Sequence, residues 1–123
     1  MDYIIAAFSI LALDSVYLST IGGPLFTTMV RNIQKEDMKI DIYGVLGSYI
    51  LIILVLYKFI IMDRRSPNDA FILGLCVYGI YEFTNIAIFK NYKWIAVIVD
   101  TLWGGILFYT ATYITYKILS VKY

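Results

Sequence analysis

Four stretches of the chain carry almost unbroken apolar side chains, separated by short breaks that are polar or rich in glycine and proline. They run from Tyr3 to about Ile21, from about Ile42 to Met62, from about Ala70 to Phe89 and from about Trp94 to Leu119. A helix needs roughly 20 mostly apolar residues to cross the hydrocarbon of a bilayer, and each stretch has about that length. Backbone polar groups in hydrocarbon must be paired within their own segment, so the stretches are predicted to be helices. A closed barrel would be written as short segments of alternating polarity instead. The pattern predicts an all-α integral membrane protein, a four-helix bundle with residues 1–123 forming one transmembrane domain.

The breaks have local causes. Gly22, Gly23 and Pro24 are predicted to end the first helix, since glycine and proline disfavour helix interiors. Arg64, Arg65, Ser66, Pro67, Asn68 and Asp69 form a polar turn. Ser66 or Asn68 can cap the third helix there, with Asp69 close to its positive end. The break from Lys90 to Lys93 is short, so the third and fourth helices are expected to pack as antiparallel neighbours. Residues 24–41 are patterned as well. Phe26, Met29, Val30 and Ile33 recur at i, i+3, i+4 and i+7, while Arg31, Gln34 and Lys35 fall elsewhere on the wheel. A short amphipathic helix lying at the membrane surface between the first two spans is predicted.

Composition narrows the chemistry. In 123 residues, 61 % are hydrophobic and the mean hydropathy is +0.78, more apolar surface than a small soluble domain can hide. The bilayer is thus an expected partner. A formal net charge of +1 leaves no basic footprint for nucleic acid. Histidine is absent and the one cysteine, Cys76, sits in an apolar run. Within one chain this excludes a disulfide, a Cys/His zinc site and the Ser–His and Cys–His nucleophile pairs. No cofactor and no metal are expected. The first apolar run lacks a preceding basic region and a small-residue cleavage site, so it is expected to be a retained helix. Loop charge does not orient the chain. Lys58, Arg64, Arg65, Lys117 and Lys122 lie on one side, and Arg31, Lys35, Lys39, Lys90 and Lys93 on the other.

The informative residues are the acids inside the spans: Asp14 in the first, Glu82 in the third and Asp100 in the fourth. A charge at mid-helix costs about 2.5–3.5 kcal/mol on insertion scales, so all three are expected to face inward. Asp14 and Glu82 each precede the end of their span by seven residues, and Asp100 follows Trp94 by six. Those three ends belong to one membrane side, which puts each acid roughly 10 Å inside the same boundary. Helical spacing widens this layer. Tyr78, Tyr81, Glu82 and Asn85 share a stripe, Tyr17 is three residues after Asp14, and Trp103 three after Asp100. Gly104 and Gly105 permit close helix approach. No Lys or Arg lies at that depth. Three adjacent carboxyls cannot all ionise cheaply, so at least one is expected to hold a proton unless a cation enters. A carboxyl–Tyr–Asn network can also simply hold helices together, at about 0.6 kcal/mol per contact. Three acids in one layer favour a functional site, because such costly groups usually mark pathways or ligand sites. The tyrosines at 109, 113, 116 and 123 are expected to serve packing and the interfacial belt.

The same residues carry a resemblance. Leu13, Asp14, Tyr17 and Leu18 stand in the first span. Gly74, Leu75, Tyr78, Gly79, Tyr81, Glu82, Thr84, Asn85 and Ala87 stand in the third, and Trp94, Asp100, Trp103 and Gly104 in the fourth. In this order they resemble the motifs of a family of predicted bacterial membrane proteins, the domain-of-unknown-function family 2177. The stretch from Ile42 to Met62 matches poorly, and Glu82 stands where the family pattern has Asp, one methylene shorter. The resemblance implies a four-helix membrane protein and no activity.

Asp14, Tyr17, Tyr78, Tyr81, Glu82, Asn85, Asp100 and Trp103 are therefore the candidate binding residues. Three functions fit them. The layer can bind a proton, a cation or a small lipophilic ligand for coupled transport, in one chain or a homo-oligomer. It can serve as acid and base in an enzyme acting on a lipid or isoprenoid. It can also fix helix register in a non-catalytic scaffold or accessory subunit.

Overall fold

The computed structural model describes every residue from Met1 to Tyr123. Its elements are α1 (Asp2–Tyr17), α2 (Gly23–Gln34), α3 (Ile42–Leu56), α4 (Pro67–Ile88) and α5 (Trp94–Leu119). Two five-residue π-turns extend them: Leu18–Gly22 joins α1 to α2, and Tyr57–Ile61 continues α3. With these extensions, four helices are long and apolar enough to cross a membrane: Asp2–Gln34, Ile42–Ile61, Pro67–Ile88 and Trp94–Leu119. Only 26 of 123 residues are buried, and the exposed ones include many large aliphatic and aromatic side chains. That distribution suits a solvent of acyl chains. Four exposed hydroxyls obey the same rule by bonding back into their own helix: Ser15 Oγ donates to Leu11 O, Ser19 Oγ to Ser15 O, Thr20 Oγ1 to Val16 O and Thr84 Oγ1 to Ile80 O, at 2.6–2.8 Å.

The first span departs from expectation. Gly22, Gly23 and Pro24 do not end the helix. Gly22 and Gly23 both keep right-handed helical dihedrals, and the chain stays helical to Gln34. The π-turn resolves the conflict. Gly23 N–H reaches back five residues to Leu18 O, and Pro24, which has no amide hydrogen, sits in the first turn of α2, where none is needed. Position 23 must then be glycine, because a Cβ there would lie 2.1 Å from Leu18 O. The amphipathic helix expected after the first span does form, as α2. It ends at Lys35 in a left-handed conformation, and Asp41 caps α3 through Tyr43 N and Gly44 N.

At the other turn Ser66, not Asn68, caps α4: its Oγ accepts from Asp69 N at 3.2 Å, and Pro67 takes the first helical position. The antiparallel packing expected of the last two spans is seen along α4 and α5, joined through Asn91 in the left-handed region. They touch backbone to backbone. A Cβ on Gly74 would lie 2.1 Å from Gly104 O, so both positions require glycine for this approach.

The apolar core fills the end of the bundle near Arg64 and Arg65, where Ile10, Leu56, Ile61, Leu107 and Phe108 are fully buried. Tyr116, the one C-terminal tyrosine that is buried, donates to Arg65 O at 2.6 Å and fastens the end of the second span. Towards the opposite end α3 packs on α1 but has little contact with α4 or α5. Of its residues Ile42–Leu56 only Leu56 is buried. The second span therefore stands away from the third, at the depth where the acids lie.

Candidate functional site

All three intramembrane acids turn inward: Asp14 is 7 %, Glu82 0 % and Asp100 8 % exposed. Each is held by aromatic donors from another part of the chain. Trp103 Nε1 donates to Asp14 Oδ1 at 2.9 Å, and Tyr17 OH to Asp100 Oδ1 at 3.0 Å. These pairings cross between helices. Tyr17 is one turn from Asp14 yet serves Asp100, and Trp103 is one turn from Asp100 yet serves Asp14. The two rings stack on each other at 4.6 Å, nearly parallel at 3°, so one aromatic sandwich locks α1 to α5 with a carboxyl on either side.

Two further donors come from residues outside the sequence-derived set. Tyr49 OH, on α3, donates to Asp14 Oδ2. Tyr92 OH, in the α4–α5 hairpin, donates to Glu82 Oε1 at 2.5 Å and accepts from Asn85 Nδ2 at 3.3 Å. Burial, and then the bond to Glu82, hold the Tyr92 hydroxyl protonated beyond the ordinary phenol range. A depth argument finds Tyr49, since it lies seven residues inside the start of its helix on the same membrane side as the acids. Tyr92 carries no such signal; in sequence it is a hairpin residue.

Glu82 and Asp100 face each other across the α4–α5 interface, close enough to interact directly. Glu82 Oε2 is nonetheless buried without a hydrogen-bond partner. No Lys or Arg pairs with any of the three acids: the ion pairs of the chain are Arg31–Asp37, Arg64–Asp2, Arg65–Asp69 and the N-terminus with Asp2. The acids form a chain linked through aromatic groups, and no three of them come together around a point as metal ligands would.

Three openings reach this network. Asp100 forms part of a cleft of about 330 Å³ between α3 and α4, with Ser48, Ile52, Val77, Tyr78 and Tyr81. Asp14 lines an adjoining groove of about 480 Å³ that shares Ser48 and Ile52 with this cleft and has Lys39 and Asp41 among its lining residues. A third cavity, about 220 Å³, lies beneath the apolar face of α2 and is lined by Met29, Tyr81, Asn85 and Tyr92. Of the sequence-derived residues, Tyr81 alone is largely exposed, at 60 %, and it borders both the first and the third opening. A further cavity, about 530 Å³, lies at the C-terminal end beside Tyr116 and Lys117 and contains no carboxyl of the network.

Four spanning helices around an internal polar network define an integral, multi-pass membrane protein. The sequence pattern of the predicted membrane protein family DUF2177 matches residues 1–117, and the chain belongs to that family. No curated protein and no solved structure matches the chain.

Proposed function

We propose that the chain binds a proton, or a small cation in its place, between Glu82 and Asp100 and couples this binding to a solute inside the membrane. The observation that carries the reading is Glu82 Oε2, an acceptor buried beside a second carboxyl with no donor in reach. A buried acceptor without a partner costs about 1–3 kcal/mol, and more when it is charged. One proton shared by the two groups supplies the missing donor and removes the repulsion between like charges. The aromatic donors on Asp14 and Asp100 leave Glu82 as the member of the layer with an unfilled site. No Lys or Arg is ion-paired with Glu82, so no basic side chain competes for the position.

Infrared spectroscopy of the protein in lipid tests this. A protonated-carboxyl band is expected near neutral pH, to be lost as pH rises, and to be removed or shifted by Glu82→Gln and by Asp100→Asn. Absence of the band, or its indifference to both substitutions, would overturn the reading.

A further inference from the structure

We infer that the cleft between α3 and α4 is a binding site, open sideways to the bilayer, for a lipophilic amine whose ammonium group meets Asp100. The inference rests on the proton-binding reading and adds to it the class of solute.

The first argument is the route. Ser48 and Ile52 lie inside the second span, and Val77, Tyr78 and Tyr81 inside the third. A cleft bounded by residues of two spans that stand apart opens sideways onto acyl chains. An occupant entering from the bilayer must therefore carry an apolar body. The second argument is the lining. Ile52 and Val77 are apolar, Tyr78 and Tyr81 are aromatic, and Asp100 is the one acid. A carboxyl set among aromatic rings, with no basic residue beside it, is complementary to a cation. The third is size. At about 330 Å³ the space suits a headgroup and the first part of its chain. The remainder stays in lipid.

The fourth argument is the orphan acceptor. An ammonium group has donors to spare, and Asp100 neighbours Glu82, whose Oε2 lacks one. Entry of an ammonium ion next to the pair displaces the proton held there. One positive charge enters and one leaves, so the buried charge is unchanged. Ser48 adds a hydroxyl with no hydrogen bond of its own at the wall of the cleft, unlike Ser15, Ser19, Thr20 and Thr84.

Dodecylamine, butylamine and dodecanol serve as probes, titrated into the full chain in lipid nanodiscs with empty discs subtracted. Dodecylamine is expected to bind saturably, once per chain, with release of a proton seen by a dye in weak buffer. Butylamine, which lacks the body, and dodecanol, which lacks the charge, are each expected to bind at least tenfold more weakly. Asp100→Asn should lose dodecylamine by a similar factor. Val77→Trp and Ile52→Trp, which fill opposite walls, should exclude the amine while the protonated-carboxyl band persists. That band also reports that either variant has folded. Dodecanol binding as well as dodecylamine, or undiminished amine binding in both tryptophan variants, overturns the inference. No saturable binding with the band intact overturns it too and leaves the proton reading standing; loss of the band in the unsubstituted protein overturns that reading instead.

Discussion

At the end of the bundle near Arg64 and Arg65, aliphatic and aromatic side chains from all four spans interlock. At the other end the same spans meet through hydroxyls, an indole and carboxyls. The second span belongs fully to the first region, through Leu56, Ile60 and Ile61, and barely to the second, through Tyr49. In lipid no hydrophobic force draws helices together, so close packing and interhelical bonds decide where they touch. The contrast teaches that the two jobs are separated along the membrane normal. One end holds the fold, and this allows the other to keep unfilled space beside acids.

The comparison can be broken by unequal treatment of its ends. Phe108→Ala should cost about 3–5 kcal/mol in reversible unfolding from mild detergent, because Phe108 is fully buried in the closed end. Leu46→Ala, on the exposed face of α3, should stay within about 0.5 kcal/mol. Equal losses would show that both ends carry the fold alike. Gly74→Ala should come next, at about 1–3 kcal/mol, since its new methyl meets the Gly104 carbonyl and not a movable side chain. The same unfolding assay reads it, and a neutral result would mean that α4 and α5 do not need to touch. The smallest effect is expected of Tyr49→Phe, about 0.6 kcal/mol. Its signature is geometric instead: the distance between spin labels at positions 46 and 80 should broaden, whereas labels at 59 and 118 should keep theirs. An unchanged distribution at the first pair would mean that the Asp14 contact does not restrain the second span.

Much of this was legible in the residues. Length and polarity set the four spans, and rise per residue brought Asp14, Glu82 and Asp100 to one depth. Partner choice was less accessible. Spacing along one helix puts Tyr17 beside Asp14 and Trp103 beside Asp100, whereas the bonds run the other way, because helix packing aims each ring at its neighbour's acid. Gly22–Gly23–Pro24 misled for a related reason. Local preference argues for a stop, but in lipid the backbone gains from staying helical, and a π-turn reconciles proline with continuity. Tyr92 escaped notice because its role depends on the hairpin folding back over Glu82. The standing-off of α3 is a property of the assembled bundle, and no pattern within Ile42–Ile61 announces it.

The continuity of the first span has a mechanical consequence. Asp2–Gln34 is helical over 33 residues with no intervening loop, and Tyr17 rests against Gly22 of the π-turn. No slack loop separates the face of α2 that covers Tyr92 from the ring that holds Asp100. One continuous helix thus touches both members of the buried acid pair through their partners: Glu82 by way of Tyr92, and Asp100 by way of Tyr17.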